Sequence, residues 1–453
     1  MLETLKHSLH ADLSAGSQWC VALSGGVDSS ALLQALTLLL QEMPGNQVRA
    51  IHVNHHLHPE SDQWAAACGS LCAKLGIVFS THDVVVADDH DEGLEAAARR
   101  ARYRVFEAEL EPDERLLTAH HRDDQVETFL LRLMRGAGPQ GLASIRQRRS
   151  FGRGWLIRPL LYCSRGEIEN FAKEHGLTWI DDPANTNTQY DRNFLRHDVL
   201  PLLLTRWPGL GETIPRAARL SGEAAMMLDE LAELDAGQIV QGNRIAIPPF
   251  SALSSPRQRN LLRYVLRKHD LKPPSEVRLR EGLAQLTGAG QDRLPVLALA
   301  GGQVRRYREH LHVLNFDPDQ QTAFRPQRWD GCGRLDLVDV RSDFQGNFQS
   351  NFQGNFLGQL YFADPHGGEA AWPAGWEVRY REGGEQIRHG GQRKLVKKLL
   401  QERGIVPWMR GFIPLLYREG QLLAIGGVCI ADDFSADAPA ELELIWTGHP
   451  SLR

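Results

Sequence analysis

The amino-acid sequence predicts an α/β protein: a mostly parallel sheet with crossover helices, then a small mainly helical domain, then a small α+β domain. Short apolar runs alternate with helical periods through roughly the first 200 residues, a pattern typical of parallel strands joined by helices. From about Trp207 onward, the sequence becomes rich in Ala and Leu. The last stretch begins and ends with β-type segments, Trp376–Tyr380 and Leu442–Trp446.

The first domain, residues 1–210, contains alternating strands and helices. Its predicted strands are Trp19–Leu23, Ala50–Val53, His82–Val86, Leu116–Ala119 and Trp155–Leu160. Its predicted helices are Ser30–Glu42, Asp124–Met134 and a third that Ser164 and Glu167 open as a capping box and Gly176 ends. Because such a sheet is buried on both faces, we expect the functional groups at the strand ends.

The remaining chain divides by composition into three predicted segments. Residues 211–316 hold two helices, 212–235 and a basic one at 256–269, in a helical or mixed substrate-binding domain. Residues 317–375 are poor in helix signals and carry a four-residue Phe-Gln/Asn repeat at 343–358, which we interpret as an expanded loop in a linker. Residues 376–453 form the last domain.

Composition excludes several classes of protein. No apolar run approaches the ~20 residues of a membrane helix, and the start of the chain lacks a signal-peptide pattern. The six cysteines form no Cys-x-x-Cys pair, which favours reduced thiols and disfavours a zinc site. We therefore expect a cytoplasmic protein that does not associate with membranes.

The net charge of −5 alone argues against a nucleic-acid partner, but the charges are unevenly distributed. Seven arginines and no acid lie between Arg132 and Arg158. Seven Lys or Arg residues lie between Arg388 and Arg410, with Glu402 as the single acid. These two stretches predict two separate contacts with a polyanion, although either one alone could be a solvated face.

A glycine-rich turn between a predicted strand and a predicted helix is the strongest motif. Its two glycines let the backbone approach an anion, and the helix that follows offers unsatisfied N–H groups. Asp28 is suited to holding Mg²⁺ across phosphates. The predicted ATP-binding residues of the turn are Ser24, Gly25, Gly26, Val27, Asp28 and Ser29. Because the lysine of a Walker loop and the Gly-x-Gly-x-x-Gly pattern are both missing, we expect attack at the α-phosphate with pyrophosphate leaving.

This turn resembles the signature of the PP-loop ATP pyrophosphatases. The resemblance implies a Rossmann-like PP-loop domain that cleaves ATP between the α- and β-phosphates and adenylates an oxygen of its substrate. The turn alone does not identify that substrate.

Further segments resemble tRNA(Ile)-lysidine synthases in order and spacing. Asn54 and His55 follow the second strand, where polar groups can line an adenosine pocket. The family commonly has glycine at the position of His56. Arg99 and Arg102 share one helix face and could bind the charge of the α-phosphate and pyrophosphate, with surface salt bridges as the structural alternative.

A cluster of carboxylates begins the predicted helix after the fourth strand. Asp124 and Glu127 face the same way and could hold a divalent ion, and they and Asp123 could accept a proton from an attacking amine. They could also be ordinary acids of a helix N-terminus. The resemblance makes this cluster part of the catalytic centre and His121 a contact of the substrate.

Two later segments also match the family. The resemblance implies that residues 179–196 close over the site where lysine and cytidine meet; its candidates are Asp182, Asn185, Arg192, Asn193 and Arg196. Leu395, Val396, Leu399 and Leu400 should form a buried helix stripe, with Lys394 beside it. That basic segment predicts phosphate-backbone contacts from Arg393, Lys394, Lys397, Lys398 and Arg410.

The resemblance implies a ligase that uses ATP, Mg²⁺ and free L-lysine to convert a cytidine of tRNA(Ile) with a CAU anticodon into lysidine. Three alternatives stay open: a tRNA thiolase, a non-catalytic RNA-binding protein with a vestigial nucleotide loop, and a small-molecule synthetase. A thiolase is disfavoured because Cys68 and Cys72 have no third ligand nearby. The sequence leaves the oligomeric state open, including a homodimer.

Overall fold

The computed structural model describes residues 1–13, 16–41, 43, 45–86, 94–290, 293–316, 326–338, 356–363, 369–370, 375–435 and 443–448. It consists of two compact units, Met1–Met227 and Leu228–Arg453. The division falls inside a long helix, Leu210–Ile239. The four-segment organisation and its boundaries stay a prediction.

The first unit is built on one sheet with helices around it. Its strands are β1 (Gln18–Ala22), β2 (Gln47–Asn54), β3 (Val78–Asp83), β4 (Arg115–Leu117), β5 (Arg148–Phe151) and β6 (Gly154–Ile157). Its helices are α1 (Leu2–Leu9), α2 (Val27–Gln41), α3 (Ser61–Leu75), α4 (Leu94–Glu109), α5 (Arg122–Met134), α6 (Pro139–Leu142), α7 (Arg165–Glu174), α8 (Asp191–Phe194), α9 (Leu200–Arg206) and α10 (Leu210–Ile239). A 3-10 turn at Pro183–Thr186 and a π-helical turn at Leu195–Val199 flank α8.

The sheet of the first unit has the strand order β3-β2-β1-β4-β6-β5. β1 pairs in parallel with both β2 and β4, and β4 pairs in parallel with β6. Only β5, an edge strand, runs antiparallel to its neighbour β6. The predicted parallel α/β sheet is therefore confirmed, and its order reverses between β1 and β4.

Apolar periodicity determines how α2 packs on this sheet. Leu32, Leu33 and Leu36 are fully buried and share a core with Trp19 and Val21 of β1. The helix begins at Val27, three residues before the predicted start, because the glycine turn leads directly into it. The predicted capping box of α7 is confirmed: the Glu167 amide donates to Ser164 Oγ at 3.2 Å, and the Ser164 amide donates to Glu167 Oε2 at 2.7 Å.

At the edges of the sheet, one predicted strand has the wrong range and one strand was not recognised. β3 covers Val78–Asp83 instead of His82–Val86, because its pairing with β2 runs from Val78 to Asp83. The sequence of β3, Val-Phe-Ser-Thr-His-Asp, has only two apolar residues, so it lacks the apolar run on which the prediction relied. β5 was missed because its residues, Arg-Arg-Ser-Phe, lack an apolar run.

The second unit is built mainly from antiparallel strands. Its strands are β7 (Val240–Gln241), β8 (Arg244–Ala246), β9 (Val296–Leu299), β10 (Gly302–Tyr307), β11 (His310–Leu314), β12 (Gln327–Trp329), β13 (Leu335–Val338), β14 (Phe356–Ala363), β15 (Glu369–Ala370), β16 (Trp376–Arg379), β17 (Gln386–His389), β18 (Gln392–Leu395), β19 (Leu415–Arg418), β20 (Gln421–Ile425), β21 (Cys429–Ile430) and β22 (Glu443–Thr447). Its further helices are α11 (Ile247–Ala252), α12 (Ser255–Lys268), α13 (Glu276–Gly288), α14 (Val396–Glu402) and α15 (Asp432–Ser435), with a 3-10 turn at Pro407–Met409.

The helices α11 to α13 share a core with a five-stranded sheet of order β7-β8-β11-β10-β9. A second five-stranded sheet, β12-β16-β19-β20-β21, shares a core with α14 and with β14, which pairs with β13, β15 and β22. The predicted basic helix exists as α12, but three acids pair with its arginines. Arg257 pairs with Asp235, Arg267 pairs with Asp229, and Glu276 lies 3.0 Å from Arg259 Nε.

Two further predictions concern the second unit. Val396, Leu399 and Leu400 are buried as expected, but Leu395 is 39% exposed because it ends β18 and precedes the helix. The Phe-Gln/Asn repeat lies outside the described residues except for its last positions, which are in β14. Among the described helices, none combines the length and the apolarity needed to cross a membrane.

A close backbone contact at Gly154 gives a test of the first unit. A Cβ atom at Gly154 would lie 2.2 Å from the Glu114 carbonyl oxygen, so Gly154→Ala must push the start of β6 away from the start of β4. We expect it to lower the free energy of unfolding by about 1–3 kcal/mol, measured by urea denaturation. Gly166→Ala, in α7 with open space around it, is the control and should be neutral or slightly stabilising. Equal midpoints for the two variants would contradict the contact.

Candidate active site

Functional side chains gather at the carboxyl edge of the first sheet. Ligands of open α/β sheets bind where the strand order reverses, because the connections on the two sides of that point leave a crevice. Here that point lies between β1 and β4. The glycine turn follows β1, and residues 118–127 follow β4, so the two strongest predicted motifs lie on the two sides of the crevice.

The serines of the glycine turn stabilise its conformation by hydrogen bonds within the turn. The Ser24 amide donates to Ser29 Oγ at 3.1 Å, and Ser29 Oγ donates to the Gly26 carbonyl at 3.1 Å. The two serine hydroxyls lie 3.0 Å apart. These bonds fix the turn in the form that precedes α2, so the N-terminal amides of that helix are available to an anion.

Gly25 is needed at its position for two physical reasons. Its φ of +87° lies in the region that favours glycine, and a Cβ atom there would lie 2.7 Å from Ile180 Cδ1 and 3.2 Å from Cys68 Sγ. The Ile180 amide donates to the Gly25 carbonyl at 3.0 Å. The segment that carries Asp182 is therefore attached to the glycine turn, which we also call the phosphate turn.

Asp28, in the first turn of α2, fits the role of a cation ligand. Its Oδ1 is buried and has no hydrogen-bond partner in the described part of the chain. Burial raises the pKa of this carboxyl, against the opposing charge of His121. An oxygen without a partner at the N-terminus of the phosphate-facing helix is suited to Mg²⁺, which prefers carboxylate and phosphate oxygens.

His121 links the two motifs. Its ring is 2% exposed, and its Nε2 lies 3.7 Å from both Asp28 Oδ2 and Asp124 Oδ2. Its Nδ1 lies 3.5 Å from Asp123 Oδ2. Burial lowers the pKa of His121, but the three carboxylates outweigh it, so the net pKa is raised and the charged form is favoured.

Asp123 is the most exposed of these carboxylates, with 47% of its side chain accessible. Its Oδ2 accepts a hydrogen bond from the Arg165 amide at 2.9 Å, which connects the start of α5 to the start of α7. Burial raises the pKa of Asp123, but His121 and the Arg165 amide outweigh it and lower that pKa to about 2.

Asp124 and Glu127 bind two arginines that are far away in sequence. Arg192 donates from Nε to Glu127 Oε2 at 2.6 Å and from Nη2 to Asp124 Oδ1 at 2.7 Å. Arg196 donates from Nε to Glu127 Oε1 at 2.6 Å and from Nη2 to Glu127 Oε2 at 3.2 Å. We call these four residues the carboxylate–arginine network. Asp124 also accepts from the His121 amide at 3.0 Å through Oδ2.

The network bears on the predicted Mg²⁺ ligands. Both oxygens of Glu127 are bound by guanidinium groups, and its side chain is 1% exposed. Among the described residues, no three His, Cys, Asp or Glu side chains form a ready metal site. Asp28 fits Mg²⁺ best, and the roles of Asp124 and Glu127 as metal ligands stay predictions that this pairing does not favour.

The end of β2 carries the predicted adenosine contacts. Asn54 Nδ2 donates to Asp62 Oδ1 at 2.8 Å, and Asn54 Oδ1 accepts from the His56 amide at 3.1 Å, so Asn54 shapes the turn. His56 has a φ of +53°, which explains why glycine suits that position. Both ring nitrogens of His55 are buried without a hydrogen-bond partner, as expected of a group that faces a ligand.

The two arginines of α4 differ in their surroundings. Arg99 is exposed and donates to Tyr103 Oη at 3.2 Å, with its guanidinium 4.8 Å from the ring centre. Arg102 is half-buried, and its charge acts on His55: burial and then Arg102 lower the pKa of His55 to about 4. Arg102 is therefore the arginine closer to the predicted nucleotide contacts.

Residues 179–196, which were predicted to close over the site and which we call the lip, contain three further candidates. The Asn193 amide group donates to the Asn187 carbonyl at 2.9 Å and so supports the lip itself. Asp182 is half-buried, two residues after Ile180. The side chain of Asn185 lies outside the described residues, and its predicted role is untested.

The predicted RNA contacts of the second unit lie on the β17–β18 hairpin and α14. Arg393, Lys397 and Lys398 are exposed, whereas Lys394 lies 3.8 Å from Glu402. Arg410 donates twice to the Ile405 carbonyl, at 3.0 and 2.9 Å, and is half-buried. Arg410 thus has a structural partner, and its contact with RNA stays a prediction.

Two residues that contact the candidate site were not among the predicted ones. Arg165 contributes its backbone amide to Asp123, and Asp62 supports Asn54. Asp62 was visible in the motif after β2, but nothing local in the sequence indicates the long-range bond of Arg165.

Cys68 and Cys72, the pair considered for a sulfur mechanism, do not have the surroundings of reactive thiols. Cys68 and Cys72 are buried, and burial raises their pKa values to about 12 and about 11. A reactive cysteine needs a lowered pKa and access to solvent, so these thiols disfavour the thiolase alternative.

Comparison with family models matches three regions of the chain. A PP-loop domain model matches residues 2–203. A TilS substrate binding domain model matches residues 246–312, and a TilS substrate C-terminal domain model matches residues 376–446.

Curated relatives match nearly the full chain. A tRNA(Ile)-lysidine synthase of Alkalilimnicola ehrlichii is 40% identical and covers 96% of this chain and 94% of its own length. Proteins of the same name from Coxiella burnetii and Nitrosomonas europaea are 35% and 38% identical, covering 94% and 98% of this chain and 92% and 94% of their own lengths.

Removing one charge from the carboxylate–arginine network should destabilise the first unit. Glu127→Gln leaves two guanidinium groups without their shared partner, and we expect a loss of about 3–5 kcal/mol in the free energy of unfolding. Glu223→Gln breaks an exposed pair with Arg219 on α10 and should cost less than about 1 kcal/mol. Urea denaturation measures both. Equal losses would show that the buried network has no special weight.

Proposed function

The chain belongs to the tRNA(Ile)-lysidine synthase family, and from that premise we propose how its residues divide the formation of lysidine on tRNA(Ile). The observation that carries this proposal is the position of His121, 3.7 Å from Asp28 of the phosphate turn and 3.7 Å from Asp124 of the second motif. One histidine thereby connects the group expected to bind ATP with the group expected to meet the second substrate.

ATP binds with its phosphates on the glycine turn and its adenosine towards the end of β2. The N-terminal amides of α2 and the hydroxyls of Ser24 and Ser29 contact the phosphates. His55, whose ring nitrogens have no protein partner, contacts the nucleoside. Arg102 lies beside His55 and stabilises the charge that develops on the departing pyrophosphate. Asp28 would hold Mg²⁺, which supplies positive charge at the phosphates.

The reaction then follows two steps. The 2-oxo oxygen of the cytidine in a CAU anticodon attacks the α-phosphate, and pyrophosphate leaves. The side-chain amine of free L-lysine attacks C2 of the adenylated cytidine, and AMP leaves. The cytidine must leave its stack to be reached, as in other enzymes that modify a base.

The carboxylates near the turn bind charge and are weak bases. The pKa of Asp123 is about 2, and the pKa of Asp124 is lowered because His121 and Arg192 outweigh its burial. Glu127 is occupied by Arg192 and Arg196. We assign Asp123, the most exposed, to attracting the lysine ammonium. The proton that the amine loses before it attacks then passes to solvent.

Arg192 and Arg196 act as positioning residues. Their guanidinium groups tie the segment after the Asp182 loop to the first turn of α5. Asp182, Asn185 and Asn193 belong to the same segment and are proposed to line the lysine and cytidine pocket. Arg393, Lys397 and Lys398 of the second unit are exposed cations suited to the RNA backbone.

Transfer of labelled lysine into RNA tests the proposed function. Purified protein with ATP, Mg²⁺ and tRNA(Ile) bearing a CAU anticodon should incorporate lysine in an ATP-dependent manner. Asp28→Ala should reduce the rate by at least about a hundredfold, while Glu223→Ala, an exposed acid on α10, should leave it unchanged. Release of AMP that depends on tRNA without incorporation of lysine would keep adenylation but contradict lysine as the nucleophile.

Because the carboxylates near the turn are weak bases, the rate of lysine transfer should depend on the protonation of the lysine amine itself. A lysine side chain has a pKa of about 10.4, so its neutral form increases about tenfold per pH unit below that value. We expect kcat/KM for lysine to rise by nearly that factor per unit between about pH 7 and pH 9. S-(2-aminoethyl)cysteine, whose side-chain amine has a lower pKa, is the control and should reach its plateau earlier. A profile that is flat for both amines would identify a protein group as the base.

A further inference from the structure

The arginine-rich stretch that follows α5 is not used by the proposed reaction. Two of its members, Arg149 and Arg158, lie beside Tyr103 of α4. The guanidinium of Arg149, in β5, lies 6.0 Å from the Tyr103 ring centre and 5.0 Å from that of Phe151. Arg99 lies over the same tyrosine ring at 4.8 Å. Arg158 donates from Nη1 to the Arg146 carbonyl at 2.6 Å. We call Arg99, Arg146, Arg149 and Arg158 the arginine patch.

The patch contains a buried charge that the protein does not compensate. Arg158 is 6% exposed, and its Nε has no hydrogen-bond partner. Within the part of the chain that the structure describes, no carboxylate pairs with any of the four arginines of the patch. A buried guanidinium without a counter-ion is costly, so the arrangement points to an anion that binds from outside. The pKa of Arg158 is lowered, first by burial and then by the charges of Arg149 and Arg99, against the stabilising effect of Tyr103.

The neighbouring arginine shows what a compensated site looks like on the same strand. Arg148 lies 3.0 Å from Asp12, and its guanidinium lies 4.1 Å from the Trp155 ring centre. Successive residues of a strand face opposite sides of the sheet, so Arg148 and Arg149 are directed to different faces. Of the two arginines described in β5, Arg148 has a carboxylate partner, whereas Arg149 has none in the described part of the chain.

The position of the patch favours RNA over ATP. Arg158 directly follows β6, at the same carboxyl edge as His120 and His121 after β4. β5, which carries Arg149, lies three positions from β1 in the sheet, about 14 Å at the usual spacing between strands. The phosphates of an ATP bound at the turn after β1 would not span that distance and also occupy the turn.

We propose that the arginine patch binds the phosphodiester backbone of the RNA substrate next to the nucleotide that reacts. The proposal rests on the function proposed above and adds a binding surface in the first unit to the exposed cations of the second. Arg146 and Arg149 supply exposed charge, and Tyr103 positions Arg99 and Arg149. Buried Arg158 supports the patch by donating a hydrogen bond to the Arg146 carbonyl.

The test compares two variants of the full chain. Arg146→Gln/Arg149→Gln removes the exposed charges and leaves buried Arg158 intact, and Arg148→Gln is the matched control on the same strand. The measurement is the affinity for the anticodon stem-loop of tRNA(Ile) as a function of salt concentration. Each lost phosphate contact should reduce the slope of log affinity against log salt by about 0.7–0.9, so the double variant should lose about 1.4–1.8 and the control nothing.

Binding of ATP without RNA, measured by calorimetry, provides the second readout. We expect the double variant to bind ATP like the wild type. An unchanged salt slope would overturn the proposal. If ATP binding were also weaker in that case, the arginines would be assigned to the triphosphate instead. If the slope changes as expected but the wild-type protein transfers no lysine, the proposed function fails while the RNA-binding patch stands.

Discussion

The pairing of Asp124 and Glu127 with Arg192 and Arg196 is the constraint on which the site depends. A carboxylate that is 1% exposed, such as that of Glu127, requires a compensating charge, and here two guanidinium groups supply it. The arginines come from a segment more than sixty residues later, with separations of 65, 68 and 69 residues. The network therefore fixes that segment against the first turn of α5. The bond from the Ile180 amide to Gly25 fixes its other end against the phosphate turn.

These two attachments fix the surroundings of the remaining charged groups and so determine the direction in which each pKa is shifted. His121 lies among three carboxylates, which raise its pKa, and the cations and amides around Asp123 and Asp124 lower theirs. Asp28 is different, since burial raises its pKa and one of its oxygens has no partner. The site thus has one carboxylate oxygen available to a cation at the phosphates and a set of ionised groups around the space for the second substrate.

Local signals predicted more of this site than long-range ones. The phosphate turn, α2 and the capping box of α7 follow from residues within one turn of each other, and all three were recognised from the sequence. The position of β3, the existence of β5 and the exposure of Leu395 depend on which neighbours a segment meets, and these were missed or wrong. The ion pairs of Glu127 with Arg192 and Arg196 could not be predicted either, because no residue near Glu127 in the sequence indicates which cations it meets in the fold.

Basic residues show most clearly that the sequence does not reveal long-range partners. The sequence of α12 is rich in arginine, but Asp235, Asp229 and Glu276 pair with its four arginines, so most of its charge is compensated within the protein. Arg149 and Arg158 come from an equally basic stretch, but neither forms an ion pair with a carboxylate in the described part of the chain. A count of Lys and Arg along the chain cannot distinguish these two cases, whereas the partners of each side chain can. For a chain of net charge −5 with an RNA substrate, the cations that matter are those that the fold leaves unpaired.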